Sequence, residues 1–257
     1  MKADSPVLIL AALEEELKPL YKICGLKRPF PCKSGDFQKG KFKETNIVLG
    51  ITGVGPEIAE KAVRDILKLV NPVISIQIGY AGALNDTLFM GDLILADAYL
   101  DYNAENRSIL PEPAVYKLYR NNLIANDFPF KEGGTITVSE TLACDTMRSH
   151  FGSLALAVQM EDYSVAALMA SHGIPHLVTR IISDNADSTL GDILKGYPEG
   201  GPFRKIRVGI HFMLHPVKAL KIRKMIKVFP RLSKVLAKVI IASIGVLHSS
   251  AIALREQ

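Results

Sequence analysis

Several stretches of this chain are apolar almost without interruption, and their order is what most restricts its fold. Val7 to Ala12 runs straight into Glu14, Glu15 and Glu16 and a helical pattern in which Leu17, Leu20 and Tyr21 share a face. "NIVLGITGVG" gives a second strand and a glycine turn through Gly53 and Gly55. An amphipathic helix follows, with Ile58, Ala62, Ile66 and Leu69 at helical spacing. "PVISIQIGYAGAL" and "MGDLILADAYL" are two more such strands. Strands that are apolar on both sides and separated by helices predict a mostly parallel sheet covered on both faces.

Further along, Asp101 to Gly134 is polar and proline-containing, which predicts loops around a short surface helix near Tyr116 to Asn126. "GGTITVSETL" and "LALAVQMED" read as strands, and "YSVAALMASHG" as a helix stopped by Gly173 and Pro175. The last strand, "HLVTRIISDNAD", places Arg180 inside a β-branched run and Asp184 and Asp187 at its end. A salt bridge at a sheet edge is the ordinary explanation for such charges. Their position after a buried strand also suits a catalytic site.

A chain of 257 residues buries a full core. The pattern implies one α/β domain, residues 1–201, with a central mixed sheet between helical layers, followed by a C-terminal helical extension, residues 202–257. Cys24, Cys32 and Cys144 form no CxxC pair, so neither a disulfide framework nor a zinc site is expected, and the compartment implied is reducing cytosol. No signal-peptide pattern opens the chain, and no uninterrupted apolar run approaches the length of a bilayer span.

The net charge of +5 divides unevenly. Residues 202–257 carry twelve Lys and Arg against Glu256 alone, or +11, leaving −6 on residues 1–201. An anionic partner is therefore expected only at the C-terminal segment. From Pro216 on, Lys218, Lys221, Lys224, Lys227, Arg231, Lys234 and Lys238 interleave with apolar residues at helical spacing. This predicts two amphipathic helices broken near Pro230. Such a face is either solvated on a docked helix or meets anionic lipid. With Phe229 as the one aromatic in the basic stripe, nucleic acid is not an expected partner.

The glycine turn lacks the third glycine of GxGxxG, and no acid closes the next strand, so a dinucleotide is not expected. Gly53 and Gly55 still suit backbone amides that face an anion or a substrate oxygen. Glu161 is either a first-turn helix acid or, with Met160, a ribose holder that accepts hydroxyl hydrogens while the thioether packs on the sugar. Six scattered histidines indicate neither a metal site nor a Ser-His-Asp triad, and no cofactor is implied.

Taken in order, "LAALEEEL", "GVG", "IGYAGAL", "MGDLILAD", "VQMED" and "TRIISDNAD" resemble the purine nucleoside phosphorylase and uridine phosphorylase superfamily. Within it, the likeness is greatest to the methylthioadenosine and S-adenosylhomocysteine nucleosidases. The resemblance implies a nucleoside phosphorylase-like fold and cleavage of the N-glycosidic bond of a 5′-substituted adenosine. It assigns Asp184 as the acid that protonates purine N7, Glu16 as the base that activates water, and Arg180 as the group that orients the nucleophile. It assigns Glu161 and Met160 to the ribose and Ser139 to Cys144 to the base pocket.

Two positions depart from the pattern: Gln159 stands where nucleosidases carry Glu, and Tyr80 where they carry a small residue. A phenol there would crowd the nucleophile, which leaves phosphate open as a co-substrate. The arginine that phosphorylases offer to phosphate is absent from "AALEEEL", leaving Arg180 and Arg64 as substitutes. The basic tail resembles that of hopanoid-associated phosphorylases. It implies the alternative of phosphorolysis of a lipid-linked adenosine by an enzyme peripheral to the inner membrane surface. A catalytically silent nucleoside-binding protein is the alternative of another class. The family commonly forms homo-oligomers, and an assembly of at least two copies is expected.

Overall fold

The computed structural model describes residues 5–26, 28–139, 150–184 and 216–255, with the backbone alone at 28, 104–106, 184 and 216–227. In chain order the elements are β1 Val7–Ala11, α1 Glu14–Ile23, β2 Arg28–Pro29, β3 Asp36–Phe42, β4 Thr45–Ile51, α2 Pro56–Leu67, β5 Ile74–Ala83 and β6 Leu93–Asp101. They continue with β7 Ala104–Ile109, α3 Pro113–Ala125, β8 Lys131–Thr137, β9 Ala157–Gln159, α4 Asp162–Ser171, β10 His176–Asp184 and α5 Pro216–Arg255.

The described strands form one mixed sheet. β1 lies parallel between β4 and β5, and β10 lies parallel to β5 and antiparallel to β6. From β6 the pairing passes through β8 and β9 back to β5, so this half of the sheet closes on itself. Alternation along β1 explains the layers. Val7, Ile9 and Ala11 pack with residues of α1, α3 and α5 on one face, whereas Leu8 and Leu10 pack with residues of α2 and α4 on the other. All five are buried because neither face meets water.

One hairpin is not anticipated from the sequence, and three expectations need correction. The hairpin of β3 and β4 begins in "DFQKGKF", whose polar residues alternate along an outer strand and mask its β character. On α2 the buried stripe is Ala59, Ala62, Val63 and Ile66; Ile58 is exposed because it lies over the Gly53 turn, and Leu69 falls beyond the helix. The segment from Asp101 to Gly134 is no surface appendage: it contributes β7, and α3 buries Val115, Tyr119 and Leu123 in the main core. Finally, α5 runs unbroken through Pro230. Tyr80 braces it there, stacking on Phe229 with ring centroids 4.7 Å apart and hydrogen-bonding Ser233 Oγ at 2.6 Å.

The C-terminal half of α5 buries Leu232, Leu236, Val239, Ile240, Ile244, Leu247 and Ala251 in the same core as β1 and α1. Val228–Arg255 is also long and apolar enough to cross a membrane by length and composition, with mean hydropathy 1.9 over an 18-residue stretch of it. Its charges at Arg231, Lys234 and Lys238 interrupt the apolar run in sequence, but they all lie on its exposed face. A helix that covers a sheet needs the same continuous apolar stripe, which explains the composition here.

Candidate active site

At the carboxyl ends of β1, β5, β9 and β10 the chain brings together three acids and one arginine, all buried: Glu16, Glu161, Asp162 and Arg180. Glu16 lies one turn into α1. Its Oε2 accepts a hydrogen bond from Leu13 N–H at 2.8 Å, and its Oε1 accepts one from Tyr80 N–H at 2.8 Å. The first bond caps the helix; the second ties the carboxylate to β5. Glu14 and Glu15 point to solvent, so burial separates the three consecutive acids. Burial raises the Glu16 carboxyl to about 7, against the opposing influence of Arg180 and the two backbone donors. Near neutrality it can therefore hold or release a proton.

The missing side chain of Gly79 makes room for Glu16 and Arg180 to approach each other. A Cβ there would lie 2.2 Å from Arg180 Nη1 and 2.8 Å from Glu16 Oε1. Arg180 itself is fixed from the other side. Its Nε donates to Asp162 Oδ1 at 3.1 Å, Nη2 donates to the same oxygen, and Nη2 also reaches Glu161 Oε2 at 3.5 Å. Nη1 donates to the Tyr80 carbonyl at 3.4 Å. Burial opposes the guanidinium charge, but Asp162 and Glu161 outweigh it and leave Arg180 firmly protonated.

The acids in turn are held by the β9–α4 junction. Gln159 Oε1 accepts from the N–H groups of Glu161 and Asp162 at 2.5 and 2.7 Å, and its amide nitrogen donates to Thr137 Oγ1 at 2.7 Å. Thr135 Oγ1 donates to Asp162 Oδ2 at 2.8 Å. Glu161 Oε1 accepts from Gly55 N–H at 3.0 Å, and burial raises its carboxyl above the ordinary range. Gly55 has φ +105°, which an L side chain rarely adopts. Its amide is thus turned toward a carboxylate of the chain itself.

Of the residues singled out in the sequence, Glu16, Arg180, Glu161, Gly55 and the backbone of Tyr80 converge. The Tyr80 phenol does not crowd them; it points to Phe229 and Ser233 of α5. Gly53 forms the turn before Gly55 with φ +84°. Met160 packs beside Ile136, Val138 and Phe151. Ser139 is exposed and lines an open cleft of about 490 Å³ together with Thr137, Tyr163 and Glu57. Arg64 lines that cleft too, but its guanidinium pairs with Glu60 on the exposed side of α2.

Cys144 and Asp187 lie outside the described residues. Asp184 ends β10, and its backbone pairs with Gly82. The register shifts between Ile182 and Asp184, so simple alternation from Arg180 does not carry through to Asp184. Sequence reasoning missed Asp162 and Thr135. An acid in the first turn of a helix ordinarily needs no partner beyond the helix dipole, and nothing local marks this one as buried.

A buried cluster of acids and a guanidinium near the carboxyl ends of strands is an arrangement suited to acid–base chemistry. The family model described as "Phosphorylase superfamily" matches residues 6–195, and the chain belongs to that superfamily. It is 26% identical over 198 residues to a 5′-methylthioadenosine/S-adenosylhomocysteine nucleosidase of Buchnera aphidicola, covering 70% of this chain and 84% of the relative. It is likewise 26% identical to an aminodeoxyfutalosine nucleosidase of Helicobacter pylori, over 71% of this chain and 87% of the relative. The crystal structure of the Helicobacter pylori 5′-methylthioadenosine/S-adenosylhomocysteine nucleosidase with butyl-thio-DADMe-Immucillin-A superposes with a TM-score of 0.71 at 18% identity, covering 92% of this chain and 96% of that one. The fold is therefore nucleoside phosphorylase-like.

Proposed function

We propose that the protein hydrolyses the N-glycosidic bond of a 5′-substituted adenosine, such as methylthioadenosine or S-adenosylhomocysteine, and releases adenine. The observation that carries this reading is the state of Glu16: a buried carboxyl raised to about 7, held by two backbone N–H groups, with a fixed guanidinium beside it. The names of the relatives, both nucleosidases, agree with it.

In this mechanism the water oxygen bonds to C1′ of the ribose and gives a proton to Glu16, while the C1′–N9 bond breaks and its electron pair passes to the purine. Asp184 supplies the proton that N7 takes up. General acids and bases of this kind are each worth roughly a hundred- to ten-thousand-fold. Arg180 orients the nucleophile, and Glu161 accepts from the ribose hydroxyls with Met160 against the sugar. The segment from Ser139 to Cys144 lines the base, and the Gly53–Gly55 turn holds Glu161 in place.

Water is the nucleophile favoured by the charges. A phosphate dianion would enter beside Glu16 and Glu161 and find Arg180 already engaged by Asp162. Adenine release from methylthioadenosine, S-adenosylhomocysteine and adenosine, each with and without phosphate, tests the reading. Release without phosphate supports it. Release only with phosphate assigns a phosphorylase, and binding with no release under either condition assigns a silent nucleoside-binding protein.

The proposed setting is cytoplasmic, as a homo-oligomer, with peripheral contact to an anionic membrane surface through the outer face of α5. Arg231, Lys234 and Lys238 are exposed there and continue the spacing of the basic residues from Lys218 to Lys227. Combined Lys234→Glu and Lys238→Glu should abolish sedimentation with phosphatidylserine vesicles and leave the core face of α5 intact. Unchanged sedimentation of this variant would remove the membrane proposal.

A further inference from the structure

We infer that Asp162 is a positioning residue: it occupies the Arg180 guanidinium and so keeps that cation from pairing with Glu16. This deepens the hydrolase reading and rests on it. Asp162 and Arg180 are both buried, at 0% and 1% exposure, and their contact uses Nε and Nη2 of one edge of the guanidinium. The carboxylate cannot swing away, because Thr135 Oγ1 donates to its other oxygen and Gln159 holds its backbone N–H.

Glu16 stands close by and yet outside that pair. Arg180 Nη1 and Glu16 Oε1 lie 2.2 and 2.8 Å from one point, the Cβ position above Gly79, so at most about 5 Å separates them. Among the described residues, the ion pairs that Arg180 forms within 4 Å are nevertheless with Asp162 and Glu161, while Glu16 keeps two backbone donors. A carboxylate paired directly with a guanidinium loses basicity, by one to three pH units in general. With part of the guanidinium charge offset by Asp162, Glu16 stays basic enough to take a proton from water near neutrality.

Among the described residues, the other groups around Glu16 do not supply this balance. Glu161 at the start of α4 raises its proton affinity further, and Tyr80 of β5 offers only its backbone N–H. Burial pushes the Tyr80 phenol up to about 12, so it stays neutral. On the elements packed nearby, Glu14 and Glu15 of α1 and Arg231, Lys234 and Lys238 of α5 face solvent.

The pH dependence of kcat/KM for adenine release tests the inference in Asp162→Asn, which keeps the size of the side chain and removes its charge. The acid limb should move down by about one pH unit relative to the wild type, because the freed guanidinium acts more strongly on Glu16. Inorganic phosphate, inert toward the wild type, should inhibit the variant competitively. An active Asp162→Asn with an unmoved acid limb would overturn the proposal. Should that variant not fold, Asp162→Ser removes the same charge with less bulk and carries the same expectation. Following the Glu16 carboxyl resonance by carbon-13 NMR separates the two ideas: a wild type that releases no adenine refutes the hydrolase reading, while a Glu16 titration that Asp162→Asn fails to lower refutes the clamp.

Discussion

A methyl group added at Gly79 would lie 2.2 Å from Arg180 Nη1 and 2.8 Å from Glu16 Oε1, both well inside van der Waals contact. Neither side chain has a free direction of retreat. Glu16 is tied by two backbone N–H groups at 2.8 Å, and Arg180 by Asp162 and Glu161. Relief requires a shift of roughly 1 Å in one of them or in β5 itself. Overpacking of this kind costs about 1–3 kcal/mol of stability, and a misplacement of that size in a catalytic group costs about a hundredfold in rate. Gly79→Ala should therefore unfold at lower urea concentration and release adenine about a hundred times more slowly. Gly40→Ala on β3, an outer strand that supplies none of the clustered acids, is the control: its Cβ would lie 2.1 Å from Leu26 Cδ2, so stability should fall with kcat/KM within threefold of wild type. If Gly79→Ala loses stability like the control and keeps its activity, the apposition of Glu16 and Arg180 is not what the reaction uses.

Glu16→Gln should reduce adenine release by a hundredfold or more and abolish the rise in rate with pH through about 7, because the base must be unprotonated to accept from water. The same substitution has a stability signature. The folded state raises this carboxyl from 4.5 to about 7, so its contribution is fully present below about pH 4.5 and falls away as the pH rises to about 7, by an order of 3 kcal/mol. The melting temperature of Glu16→Gln relative to the wild type should accordingly climb between pH 5 and pH 8, and a constant difference would contradict the buried-carboxyl account. Asp184→Asn should stop base release while calorimetry still records nucleoside binding; loss of both together would mean a structural role. Tyr80→Phe keeps the stack on Phe229 but loses the 2.6 Å bond to Ser233, so it should cost about 1 kcal/mol of stability and little activity, measured by denaturation and turnover.

Much of this architecture is legible in the order of residues. The apolar runs of β1, β4, β5 and β6 and the stop of α4 at Gly173 follow from burial on both faces and from the positive φ of that glycine. Glu161 stood out as an acid leaving an apolar strand and Arg180 as a charge inside one, while the role of Glu16 came from the family resemblance. What stayed hidden depends on contacts between distant segments. The polar alternation of β3 resembles a loop until β4 pairs with it, and Tyr80 reads as an obstruction until α5 takes its ring. The apolar stripe of α5 reads as a surface or membrane helix until β1 and α1 are set against it.

Asp162 shows the division most clearly. As a residue in the first turn of a helix it is unremarkable, and local sequence carries no sign of what it does. Local patterning determined which segments become strands and helices, since hydrophobic periodicity is written along the chain. Only the folded sheet decided that Asp162 and Glu161 would take the Arg180 guanidinium and leave Glu16 beside it, because charge pairing in a buried site depends on distances between strands that are far apart in sequence.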